Sequence, residues 1–268
     1  MPNSASGDAL DVLVAARLEH RAMSQLPEST RPQDEAGAYA LQDELHERLE
    51  AAGAGRFGGY KIGCTTPVMQ AYLEIPNPCA GGVLEASYRS SADGSPVRIA
   101  IDDHVHVGVE CEIVARLAAD LPPSDRPYDR VTVAPAVESL SPGIEIVDDR
   151  WLDFRAVDTP SLITDDFFGD GCVVGEPVEG WRELELPEVE GTMTTNGQAV
   201  GLGRGADVLG HPLESLAWLA NHRSRRGLGL RAGEFVLLGS LVETKWVARG
   251  DTVEIAIDGL GRAAATFV

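Results

Sequence analysis

His104-Val-His-Val-Gly-Val-Glu-Cys-Glu-Ile113 alternates almost without a break. Val105, Val107, Val109, Cys111 and Ile113 share one parity; His104, His106, Gly108, Glu110 and Glu112 share the other. Side chains two apart in a strand lie on the same face, so the pattern predicts a strand with one apolar face. It also predicts that Glu110 and Glu112 point the same way, from backbone positions about 7 Å apart. Two carboxylates held that close on a face bounded by apolar strand repel each other. A shared proton or a divalent cation relieves the repulsion, and an all-oxygen ligand set favours Mg2+ or Mn2+ over Zn2+. Taken alone, the pair reads more simply as the solvated face of a strand. His106 and Glu110 are four residues apart, about 13 Å along a strand, so they do not share one ion. His104 and His106 read more simply as edge or surface residues.

A metal site needs a third acid, and Pro142-Gly-Ile-Glu-Ile-Val-Asp-Asp-Arg150 supplies candidates. Ile144 and Ile146 flank Glu145, which therefore faces opposite to its apolar neighbours, as in a short buried strand delivering one carboxylate. Asp148 and Asp149 read as turn residues instead.

Outward from these strands the texture changes twice. Residues 8–56 read as helical. Ala38, Leu41, Leu45 and Leu49 recur at three- and four-residue steps, and Gly53 and Gly55 end the run. From residue 57 short apolar runs (60–62, 83–84, 97–101, 105–117) are punctuated by Gly, Pro and Asp, the signature of strands. The stretch 121–135 reads as a loop leading into a helix. His211-Pro212-Leu213 opens a second helix, with Pro in its first turn and Gly227 and Gly229 beyond its end. The last forty residues return to strands, with turns at 232–233, 249–251 and 259–261. The expected fold is α+β, with a helical segment over 1–56 and a mostly-β domain over 57–268.

The chain has 268 residues, with 42 Asp and Glu against 22 Lys and Arg, a formal net charge of -20. Phosphate recognition needs clustered Lys and Arg, so the simplest nucleic-acid readings are excluded, and the same charge argues against binding to anionic membranes. At 44% hydrophobic the chain has ample material for a core. Every apolar run falls well short of the roughly 18 residues a membrane helix needs. Met1 to Asp8 lack a basic start and an apolar run, so no signal peptide is expected. Cys64, Cys79, Cys111 and Cys172 form no CxxC pair and are too sparse for a disulfide framework; a reduced, cytoplasmic protein is expected.

Several segments, in order, resemble the fumarylacetoacetate hydrolase superfamily, and within it the 2-oxopent-4-enoate hydratases and 4-oxalocrotonate decarboxylases of aromatic meta-cleavage pathways. Gly59-Tyr-Lys-Ile-Gly63 is similar to the GYKIG segment of that branch. Val109-Glu-Cys-Glu-Ile113 resembles its E-x-E strand, and Ile144-Glu-Ile-Val-Asp148 the strand carrying its third acid. Val208-Leu-Gly-His-Pro-Leu213 with Leu216-Ala-Trp-Leu-Ala-Asn221 resembles its VLGHP…AWLAN helix, and Ala232-Gly-Glu…Leu238-Gly-Ser-Leu241 its AGD…GSL strand-turn. Singly these motifs are weak; in this order and at these separations they are specific.

The resemblance implies a rolled β-sandwich with N-terminal helices, and a homo-oligomer. It implies that Glu110, Glu112 and Glu145 hold Mg2+ or Mn2+, and that a small anionic 2-oxo acid chelates the ion. It places Lys61 at the active-site lysine, with Gly239 and Ser240 lining the pocket and Gln42 on a helix near it. The implied activity is hydration of a 2-hydroxydienoate. The alternatives are 2-oxo-acid decarboxylation, C–C hydrolysis of acylpyruvates, or a non-catalytic member that partners an enzyme.

Two departures stand out. The hydratases usually carry an Asp after the GYKIG strand, where this chain reads Asn77-Pro-Cys-Ala-Gly-Gly-Val-Leu84. They also usually carry a D-N-A-S-like segment, where this chain reads Asp165-Asp-Phe-Phe168. Asp165 matches, Asp166 stands for the Asn, and Phe168 occupies the Ser position. Asp165 and Asp166 are therefore candidate proton-handling residues, and Phe168 a candidate substrate contact. Three outcomes are open: Asp166 or Asp170 replaces the lost polar groups, a more apolar substrate tail packs on Phe167 and Phe168, or the chemistry has shifted.

Overall fold

The computed structural model describes residues 8–268, without the side chains of residues 67, 72 and 92. The stretch 1–7, most of the segment read as lacking a leader, lies outside the described residues. Two aspartates start the N-terminal helices by accepting orphan N–H groups of the first turn. Asp8 caps α1 (Ala9–Leu18), and Asp34 caps α2 (Glu35–Ala51) through the Gly37 N–H at 2.8 Å. Their buried faces, with Leu10, Leu13, Leu45 and Leu49, join one apolar cluster with Ile62, Ile113 and Leu162 of the β body.

In chain order there follow β1 (Phe57–Gly63), α3 (Pro67–Tyr72), β2 (Cys79–Leu84), β3 (Tyr88–Ser90), β4 (Val97–Ile99) and β5 (Val107–Leu117). Next come α4 (Arg130–Val133), β6 (Val137–Asp148), α5 (Thr159–Thr164), β7 (Gly169–Val174), β8 (Glu190–Thr195) and β9 (Gln198–Arg204). The chain ends with α6 (Pro212–Arg225), β10 (Phe235–Trp246), β11 (Thr252–Ile257) and β12 (Gly261–Phe267). A seven-stranded sheet has the order β2-β1-β10-β5-β6-β7-β3; a five-stranded sheet has the order β4-β12-β11-β8-β9. The expected α+β class with two curled sheets and N-terminal helices is what the chain adopts.

β5 sits near the middle of the larger sheet, antiparallel to β10 on one side and β6 on the other. The alternation was read as one buried face, yet among its residues only Glu110 and Arg116 are partly exposed. Both faces are covered, for different reasons. The odd-numbered face packs on the smaller sheet: a Cβ on Gly191 of β8 would lie 3.3 Å from Cys111 Sγ. The even-numbered face carries Glu110 and Glu112, then Val114, which joins a second apolar cluster with Val83, Cys172, Val174, Phe235 and Leu237. The strand begins at Val107 rather than Val105, because Asp148 Oδ1 accepts the N–H groups of Val105 (2.9 Å) and His106 (2.7 Å).

Two other boundaries differ from expectation. The strand carrying Glu145 is a twelve-residue element, not a short one, and the 121–135 stretch, which itself holds the single turn α4, leads into that strand rather than into a helix. The second helix starts as read: His211 Nδ1 caps it by accepting the Leu213 N–H at 3.0 Å. Among the described residues, no helix is long and apolar enough to cross a membrane.

Candidate metal centre and active site

Register turns two sequence patterns into one cluster. Across the β5–β6 ladder Glu110 pairs directly with Glu145, and Glu112 lies two residues along on the same face. Ligand oxygens of Glu110, Glu112 and Glu145 all lie within 4.8 Å of one another. Glu112 and Glu145 are buried and Glu110 is partly exposed. Burial, followed by the Glu145 charge, raises the Glu110 carboxyl to about 7. Burial also pushes Glu112 well up, with Glu145 and Glu110 adding to the shift.

The donors present do not satisfy this cluster. Glu112 Oε2 accepts the Gly239 N–H at 2.8 Å, while Glu112 Oε1 has no hydrogen-bond partner. Lys61 Nζ lies 3.0 Å from Glu145 Oε1, an ion pair by distance, yet both Glu145 oxygens lack a well-directed donor. Glu110 is anchored by the Thr244 hydroxyl. Orphaned buried carboxylate oxygens converging on one point suit a hard dication. The three glutamates thus fit the Mg2+ or Mn2+ read from the sequence.

Lys61 projects from β1 into the same region and is 3% exposed. Burial favours losing its proton, but Glu145 and Glu110 outweigh burial and its pKa is raised. The glycines around it are steric necessities. A Cβ on Gly59 would lie 2.3 Å from the Phe235 carbonyl oxygen, and one on Gly63 would lie 2.7 Å from Phe167 Cδ1. Lys61 and Glu110 open onto a cavity of about 940 Å³. Ser240 and Phe168 line it as expected. Gly239 does not; at φ 112° it kinks β10 and aims its N–H at Glu112.

Asp165 and Asp166 do not line this cavity. Asp165 pairs with Arg17 (3.0 Å) and Arg150 (3.1 Å). Asp166 pairs with Arg17 (2.8 Å) and His46 (2.7 Å) and accepts the Gly82 N–H at 2.7 Å. These contacts tie α1, α2 and β2 to one turn. In that turn Asp166, Phe167 and Phe168 all have positive φ, at 53°, 49° and 66°, a strained run for residues with a Cβ. The strained turn delivers Phe167 to the lysine, with Nζ 5.2 Å from its ring centroid, and Phe168 to the cavity wall.

Other predicted residues fall elsewhere. Buried Gln42 donates to the carbonyls of Ala80 (3.0 Å) and Ile163 (2.6 Å), tying α2 to the body. His104 contacts Asp170 at 3.3 Å, and His106 stacks on Trp246; neither joins the glutamate cluster. Asp149 is the turn residue the sequence suggests, its Oδ1 accepting the Trp151 N–H at 3.2 Å, and it also lines the cavity. Arg17, His46 and Arg150, which pin the turn, and Thr244, which anchors Glu110, were not singled out in the sequence. Thr244 shares the parity of Ser240, but register shifts along β10 make parity an unreliable guide there.

Residues 85–268 match the family model described as fumarylacetoacetate (FAA) hydrolase C-terminal. The chain belongs to the fumarylacetoacetate hydrolase family. Within this family it is 32% identical over 250 residues to a 4-oxalocrotonate decarboxylase of Pseudomonas putida, covering 93% of this chain and 90% of that one. It is also 32% identical over 262 residues to a 2-keto-4-pentenoate hydratase of Burkholderia vietnamiensis, covering 95% and 96%. The structure of a Pseudomonas putida 4-oxalocrotonate decarboxylase complexed with magnesium and adipate superposes with a TM-score of 0.89. The identity is 27%, and the match covers 97% of this chain and 96% of that one. A fumarylpyruvate hydrolase of Pseudomonas aeruginosa, at 16% identity and a TM-score of 0.64, shares the fold. The matched region of this fumarylacetoacetate hydrolase family member contains all three glutamates.

Proposed function

We propose that the chain is a Mg2+- or Mn2+-dependent hydro-lyase that adds water to 2-hydroxydienoates of the 2-oxopent-4-enoate type, within aromatic meta-cleavage catabolism. The observation that carries the reading is a three-carboxylate cluster, two of its members buried and with orphaned oxygens, beside a buried lysine, reached through Glu110 and Lys61 from a largely apolar cavity. The similar hydratases support it. Glu110, Glu112 and Glu145 would hold the ion, which when bound stabilises the enolate form of a 2-oxo acid.

The chain's own residues do the rest. Lys61 holds the substrate carboxylate or moves a proton at Nζ. Ser240 offers a hydroxyl from the cavity wall. Phe167 and Phe168 keep bulk water from the lysine. Asp165 and Asp166 act as positioning residues, through Arg17, His46 and Arg150. Residues 57–268 form the catalytic domain, and α1 and α2 brace its phenylalanine turn through Arg17 and His46. A homo-oligomer is supported by the exposed Val200 and Leu202 on β9, an edge strand. A cytoplasmic location is supported by four free cysteines.

The test follows the loss of ultraviolet absorbance of 2-hydroxypenta-2,4-dienoate with Mg2+ or Mn2+. Turnover is expected, and Glu110→Ala is expected to lower it on the order of 100-fold or more. Metal-dependent turnover of 4-oxalocrotonate with CO2 release, or of acylpyruvates by C–C cleavage, in place of hydration would move the assignment to those reactions. No turnover of any of the three would leave the non-catalytic reading.

A further inference from the structure

The geometry points to a substrate whose tail is uncharged and apolar, aromatic in the best case, rather than a second carboxylate. This rests on the metal-and-2-oxo-acid reading of the floor and extends it to the far end of the molecule.

The wall above the lysine is a sequence of rings. Phe167 lies over Lys61 Nζ. Phe168 meets Phe167 edge-on at 5.4 Å between centroids, and Phe154 meets Phe168 edge-on at 5.6 Å. Edge-to-face contacts at these distances hold rings in place. The ladder is also fixed from behind. Gly63 and the Phe167 ring leave no room between them, and a Cβ on Gly81 would lie 2.3 Å from the Asp166 carbonyl oxygen. Val147, Leu209 and Trp246 continue the apolar lining.

Charge points the same way. Among the described residues lining the cavity, Lys61 is the one cation, and it is already paired with Glu145. Asp149, Asp207 and Glu243 line it as well. A tail carboxylate would leave water for phenyl rings and like charges, with hydroxyls and the Gln70 amide but no unpaired cation to offset the desolvation. Arg155 stacks on Phe154 at 4.8 Å but is exposed and does not line the cavity.

The experiment is calorimetric titration of the full chain, saturated with Mg2+, with three 2-oxo acids. Pyruvate reports the head group alone, 2-oxo-4-phenylbutanoate adds a phenyl tail, and 2-oxoadipate adds a carboxylate tail. The phenyl acid is expected to bind at least about tenfold tighter than pyruvate, or 1.4 kcal/mol, and 2-oxoadipate no tighter than pyruvate. Phe168→Ala should remove most of the phenyl gain and Phe168→Leu should keep most of it, with the Mg2+-induced thermal shift confirming that each variant folds. Equal affinity for 2-oxoadipate and the phenyl acid overturns the inference, and loss of the former in Arg155→Ala would assign its tail carboxylate to Arg155. Pyruvate binding without any phenyl gain refutes the tail alone. If Mg2+ binds but none of the three acids does, the head-group reading fails and this inference falls with it.

Discussion

Glu112 is fully buried, takes one backbone N–H and leaves its other oxygen without a donor. Glu112→Gln keeps an acceptor for the Gly239 N–H and cannot ionise. Without metal, its thermal midpoint should match or exceed that of the wild type, because burial and the neighbouring carboxylates already disfavour the charged form of Glu112. With Mg2+ at a hundred times its Kd, the wild type should gain about 2.7 kcal/mol and the variant almost none. Thermal denaturation after chelation, with and without added Mg2+, measures both, and a retained Mg2+ shift would remove Glu112 from the ligand set. At this scale the sequence was legible where geometry follows a short period: parity put Glu110 and Glu112 on one face, and the family resemblance, not the pair itself, pointed to a metal. The direct pairing of Glu145 with Glu110 depends on inter-strand register, which no local pattern carries. Lys61 was legible through its flanking glycines and the GYKIG resemblance. Arg17 was not, since it reaches Asp165 across 148 positions.

Elements show the same division. Helix starts were readable because Asp34 and His211-Pro212 cap them chemically, whereas the strained 165–168 turn was hidden, having no glycine to flag positive φ. That turn runs into β7, where Asp170 contacts His104 at 3.3 Å and Arg150 at 3.2 Å. His104 Nδ1 faces the Ala100 carbonyl at 3.0 Å while Nε2 faces the carboxylate, so both nitrogens donate and the ring is an imidazolium. Burial works against both charges, but the His104 hydrogen bond and Arg150 lower Asp170 to about 2, and Asp170 raises His104. Asp170 therefore contributes stability above its unfolded value near 3.8 that is lost as pH falls toward 2. His104 contributes below its unfolded value near 6.5, and that share is lost as pH rises through its raised folded value. Both are present between about pH 4 and 6.5. Asp170→Asn should flatten the acid flank of a urea-denaturation stability profile by on the order of 1–2 kcal/mol, since a third of the side chain meets solvent. His104→Gln should flatten the other flank. Parallel profiles for wild type and variants would refute the pair's role.

For the whole molecule the governing quantity is the net charge of -20. Three acids belong to the glutamate cluster; Asp149, Asp207 and Glu243 stand along the cavity that an anionic substrate must enter. At long range the molecule repels its proposed substrate, and only at the floor do Lys61 and a bound dication attract it. These two fields respond differently to salt. Screening shortens the reach of exposed charge from about 30 Å at 0.01 M to about 8 Å at 0.15 M ionic strength, but acts weakly on buried groups at short range. Raising NaCl from 10 to 150 mM at saturating Mg2+ should therefore raise kcat/KM for a monoanionic dienoate about threefold by weakening the outer repulsion. The change should appear in KM, with kcat unchanged, because the chemistry proceeds where salt does not reach. A dianionic substrate, repelled more strongly, should show a steeper rise from a lower start. A kcat/KM that falls with salt would mean that attraction from the floor extends to the mouth and governs capture, reversing the assignment of which charges a substrate meets first.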